Sequence, residues 1–128
     1  MKKETKKTEK GFDFRTITSF EAACAATNKI PDDVYHEKDA PDDVERKKLK
    51  VITEAINHGV IMDYKNKNQR KWFPIFYVSS SGLVFDDSLC DYDCTHTYCG
   101  SRLCFETEEK SDFAGKTFIK SYEIMLTK

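Results

Sequence analysis

Three stretches of the chain carry ordered hydrophobic patterns, two with helical spacing and one crowded with aromatic and β-branched residues. Between Pro41 and Gly59, the positions Val44, Lys48, Val51, Ile52, Ala55 and Ile56 trace one face of a 3.6-residue repeat, which predicts a helix over residues 41–58. Proline suits the first helical position, Asp42 and Asp43 oppose the positive end of the dipole, and Gly59 lies just past the other end. Phe113, Ala114, Phe118, Tyr122 and Met125 repeat behind Thr107, Glu108 and Glu109, an N-cap and an acidic first turn for a C-terminal helix. Gly115 inside that helix costs about 1 kcal/mol against alanine and permits close packing. Earlier, Thr18-Ser19-Phe20-Glu21 fits a capping box, and Ala22 to Thr27 extends it into a short helix ended by Asn28 and Pro31.

The aromatic stretch runs from Lys71 to Phe105. Its alternations predict strands over 71–79, 82–86 and 101–106, with Ser79-Ser80-Ser81-Gly82 as a hairpin turn. Both faces of the first strand are apolar, Trp72/Phe76/Val78 on one and Phe73/Ile75/Tyr77 on the other, so it should be covered on two sides. Pro74 removes one ladder donor and places its end of the strand at an edge or bulge. The expected class is α+β: N-terminal helices, a small antiparallel sheet of about three to four strands, and a C-terminal helix packed on the sheet.

Composition sharpens this picture. At 128 residues the chain has room for one compact core, and the expected division is a disordered basic tail over 1–11 followed by a single domain over 12–128. A formal net charge of −1 gives no broad pull toward nucleic acid or anionic lipid, so any such affinity has to be local. The charged start has no apolar run behind it to act as a signal-peptide core, and no stretch is long enough to span a bilayer, which points to the cytoplasm. In that reducing compartment the five cysteines are free thiols or metal ligands.

Three constellations bear on chemistry. Cys90, Cys94, His96 and Cys99 are candidate zinc ligands, but C-x3-C-x-H-x2-C matches no common ribbon or finger, and free thiols with no cofactor are the expected state. A thiol paired with His36, His58 or His96 would need an orienting base and an oxyanion donor that no motif here supplies, so no enzyme is expected. The third is the polar rim of the sheet: Arg70, Lys71 and Arg102 flank aromatic strands, Ser81 and Ser101 stand at strand ends, and Trp72 and Tyr77 offer rings. Guanidinium and ammonium groups recognise phosphate and an aromatic face stacks a base, so these seven residues form a candidate ligand site for a nucleotide-like anion. The competing reading makes the aromatics plain core and pairs Arg102 with Asp86, Asp87 or Glu106. The run Arg46 to Lys50 is basic, but such residues mostly solvate a helix face.

The segments Trp72-Phe73-Pro74, Ser80-Ser81-Gly82-Leu83-Val84-Phe85, Gly100-Ser101-Arg102-Leu103-Cys104-Phe105 and Phe113-Ala114-Gly115-Lys116, with Ala55-Ile56-Asn57 and Gly59 ahead of them, resemble a family of small proteins encoded by phages and prophages of gut Bacteroidetes. The likeness spans roughly residues 49–126 and carries no activity, so no catalytic residue transfers. It implies origin rather than mechanism. A phage setting favours a non-enzymatic binding protein in the host cytoplasm, a homo-oligomer burying part of its aromatic surface, that inhibits a host defence factor or, on the strength of the arginine and aromatic rim, sequesters a nucleotide-like ligand. The alternatives are a nucleic-acid-binding accessory protein, using the tail and the Arg46 to Lys50 face, and a structural or protein-interaction module.

Overall fold

The computed structural model describes residues 11–66, 68–90 and 101–128, and the α+β class holds across them. The expected basic tail therefore lies outside the described residues except for Gly11, as do Cys94, His96 and Cys99. A 3-10 turn over Phe14–Thr16 leads into helix α1, Phe20–Ala26, where Ser19 caps the start by accepting from the Ala22 amide. A second 3-10 turn, Pro31–Asp33, precedes α2, Pro41–Asn57, which has Pro41 in its first turn. Strands β1, Trp72–Ser79, and β2, Gly82–Cys90, pair antiparallel. Helices α3, Glu108–Thr117, and α4, Ile119–Thr127, close the chain, with Thr107 capping α3 by accepting from the Lys110 amide.

Helix α2 is the centre of the packing. Leu49, Ile52, Ala55 and Ile56 are buried against α1 on one side and α4 on the other. Leu49 falls outside the expected face, because α2 is covered by two helices and buries a wider stripe than a helix lying on one surface. Its last turn ends at His58, a non-glycine residue in the left-handed region at φ 49°, whose amide donates to Glu54 and Ala55. The His58 ring stacks on Phe12 at 3.9 Å, a contact that offsets the cost of that backbone.

The sheet differs from expectation. Among the described residues it has two strands, and β2 runs on to Cys90 rather than stopping at Asp86. Ser101–Leu103 forms a 3-10 turn instead of a third strand, and of residues 101–106 only Phe105 pairs with the β1 backbone, exchanging both bonds with Trp72 at 2.9 and 2.7 Å. One residue of β2, Asp86, is skipped in the pairing, since Ile75 opposes Asp87 while Phe76 opposes Phe85. Trp72 and Phe76 join the main core, whereas Phe73 is buried in a second cluster with Met62 and Cys104, flanked by Ile75 and Tyr64. The two-sided cover thus holds at one end of β1 and lapses at the other, where Tyr77 and Val78 are exposed.

The C-terminal helix is two helices, not one. Phe118 breaks it at φ −109°, ψ 29°, in the run Thr117-Phe118-Ile119, whose β-branched and aromatic side chains lose rotamer freedom in a helix. Helix α3 lies on both strands, and Gly115 permits that approach: a Cβ there would sit 2.8 Å from the Phe85 ring and from Pro74 Cβ. No helix among the described residues is long and apolar enough to cross a membrane.

Candidate functional site

The seven residues expected at the sheet rim do not assemble. Lys71 is 0 % exposed and its ammonium donates to the Asn66 and Gln69 carbonyls at 2.8 Å, beneath the Tyr64 ring. A lysine held inside its own loop is a clamp on that loop, and it presents no charge to a phosphate. Trp72 is half-buried and packed on the core. Arg70 is exposed ahead of β1, while Tyr77 and Ser81 stand exposed toward the hairpin turn, where the Ser81 amide donates to Ser79 Oγ. Cys90 ends β2 opposite Trp72. Cys24 and Cys104 are buried, and burial pushes the Cys24 thiol up from its ordinary value, with Glu21 adding to the effect.

Ser101 and Arg102 belong to a different place, the wall of an open cleft of about 1050 Å³. One wall is a stripe along α2 from Lys47 through Lys50, Val51 and Glu54 to Asn57, ten steps and so about 15 Å of helix. The second is the segment from Asn28 to Val34, and the third combines Gly59–Met62 with Ser101 and Arg102. Asn57 holds the third wall to α2: its Nδ2 donates to the Cys104 carbonyl at 2.9 Å and its Oδ1 accepts from the Glu106 amide at 3.1 Å. The rim is aliphatic, with Ile30, Val60 and Ile61 exposed at 63 %, 40 % and 80 %. Among the described residues no Phe, Tyr or Trp lines it.

The charges on the walls are unequal. Lys29, Lys47, Lys50 and Arg102 face Asp33 and Glu54. Lys29 pairs with Glu54 at 3.1 Å, and Lys47 reaches out of the cleft to Asp39 at 2.7 Å. Among the described residues neither Lys50 nor Arg102 has a side-chain partner, so Asp86, Asp87 and Glu106 do not pair with Arg102; Glu106 is taken by Lys110. The basic run of α2 is split by helix geometry, since Lys48 turns away to lie over the Phe20 and Tyr35 rings while Lys47 and Lys50 line the cleft. That division could be read from the sequence, where positions 47, 50, 51 and 54 share one stripe and 48 does not.

Asp39 is held below the ordinary carboxylate range, first by the hydrogen bond from Lys47 and then by the His36 amide. A depressed folded value means that its contribution to stability is present above the unfolded value and is lost as pH falls through the lower folded one. Lys47→Ala is therefore expected to move the Asp39 midpoint upward, measured by carboxylate-resolved NMR titration; an unmoved midpoint would remove Lys47 as its principal partner.

Away from the cleft, Asp87, Glu108 and Asp112 bring carboxylate oxygens within 4.8 Å of one another. Glu108 opens α3, whose dipole favours negative charge there, and Asp112 accepts from Ser88 Oγ at 2.6 Å. The chain matches no family model, no curated protein and no solved structure.

Proposed function

We propose that this chain is a non-enzymatic binding protein whose α2 cleft holds an anionic ligand. The observation that carries the reading is the pair Lys50 and Arg102, two cations without side-chain partners among the described residues, on the wall of one concave surface whose other lysines are already engaged. An anion entering there gains charge-assisted hydrogen bonds from both and displaces no existing ion pair. Of the residues expected to bind ligand, Ser101 and Arg102 support this site. Trp72 and Tyr77 do not line it, so the anionic group rather than a stacked base supports recognition.

The resemblance to phage-encoded proteins supports a setting in the cytoplasm of an infected host, where the ligand is a signalling nucleotide or a host factor. Exposed Tyr77, Val78 and Leu89 on the hairpin support self-association, in which strand pairing between copies would extend the two-stranded sheet to four. Calorimetric titration with nucleotides and cyclic dinucleotides, with mass followed by light scattering, tests both parts. Lys50→Ala and Arg102→Ala are each expected to weaken binding about tenfold, and Asp33→Asn to strengthen it, with thermal stability unchanged. Affinity indifferent to the double variant would sink the cleft as the site, and a strict monomer would sink the oligomer.

A further inference from the structure

We infer that the ligand of this cleft is a short extended segment of a partner protein in which carboxylates alternate with aliphatic side chains; the inference rests on the anionic reading of the cleft. Charge complementarity comes first. Lys50 and the Asn57 end of the stripe, where residues 101–104 are tied to α2, are two helical turns apart, about 10 Å along the axis. An extended chain rises about 3.3 Å per residue, so carboxylates on alternating residues recur about every 6.6 Å. Two long cationic side chains rooted about 10 Å apart can close to that separation, and the 15 Å stripe takes about five residues. Two cations without side-chain partners among the described residues, with Asp33 and Glu54 on the same walls, make a poor track for a polyanion that presents a phosphate at every step.

The rim favours the same occupant. Ile30, Val60 and Ile61 are aliphatic, exposed and grouped around the cations, and they offer a nucleobase no ring. Aliphatic side chains of a peptide would be desolvated against them. The Gly59–Met62 wall also offers backbone: among the described residues the Ile61 amide donates to no group, while its carbonyl accepts from Gln69. An extended peptide brings carbonyls to such a donor, as peptides do when they add to an exposed backbone edge.

The test uses the full chain and a fluorescein-labelled pool of pentapeptides with Asp or Glu at alternate positions and Ile, Leu or Val between them, read by anisotropy. The pool should bind at one site per chain. Replacing its acids with amides, or its aliphatics with serine, should weaken binding at least about tenfold each, the size of one lost charge-assisted bond or one exposed apolar side chain. Ile61→Ser should weaken the pool and leave ADP unaffected. Should the serine pool or ADP bind as tightly as the parent pool while Arg102→Ala still weakens that binding, the peptide inference fails and the anionic cleft stands. Should no probe bind, or should binding ignore Lys50→Ala and Arg102→Ala, both fail.

Discussion

Replacing Phe105 with alanine is expected to cost about 3–5 kcal/mol, the upper range for deleting a buried aromatic ring, and to leave little of the ~5–15 kcal/mol that holds a domain folded. Phe105 is fully buried in the main core, and its backbone exchanges two hydrogen bonds with Trp72. Those bonds pin the chain on either side of the ring, so the surroundings cannot collapse into the cavity. Phe105→Leu fills most of the space and should cost far less. Denaturant unfolding with an unchanged slope reads both values, and a loss under about 1 kcal/mol for alanine would mean that the ring is not packed as described.

Asn57→Ala should be nearly as damaging, by about 2–5 kcal/mol, because one amide side chain satisfies two backbone groups that lie far away in sequence. Its removal takes a donor from the Cys104 carbonyl and an acceptor from the Glu106 amide at a side chain that is itself 3 % exposed. Asn57→Asp separates the two bonds. A carboxylate still accepts from Glu106 but faces the Cys104 carbonyl with no proton to donate, so stability should fall at neutral pH and partly return on acidification, when the protonated acid donates. The same variant loosens the wall that carries Arg102, and anion affinity should fall with it. Equal unfolding midpoints for the parent chain and the Asn57→Ala variant would refute this account.

How far the chain discloses itself depends on whether the signal is local. Helix α2 is readable because proline, the acidic first turn and the apolar repeat agree on one element. The hairpin follows from Ser/Gly punctuation between aromatic runs, and Gly82 at φ 123° fits that turn. The third strand fails because Leu103-Cys104-Phe105 is apolar for another reason: its side chains fill the two clusters beside α2 and β1, and its backbone pairs with β1 through a single residue. In the C-terminal region the apolar repeat crosses the break at Phe118 without interruption, so periodicity alone hides it.

The candidate site is half readable. Arg102 stands out as a cation at the mouth of an apolar run, and it does line a cleft. Its companions do not, because Lys47 and Lys50 look like any solvated helix lysines until residues 28–34 fold over against them. Lys71 misleads in the opposite direction: adjacency to Trp72 suggests a ligand, whereas the ammonium is consumed by carbonyls of its own loop.

The skipped Asp86 has an effect along the whole of β2. Side chains in a strand change sides at every step, so one supernumerary residue reverses the parity of everything beyond it. Before the skip, Leu83 and Phe85 look toward the helices; after it, Ser88 takes the inward place that uninterrupted alternation would have handed to Asp87. There Ser88 meets Ser111 Oγ at 2.7 Å and donates to Asp112. A small hydroxyl occupies the junction with α3 where a charged carboxylate would otherwise have been forced indoors, and Leu89 is turned outward as the other half of the exchange.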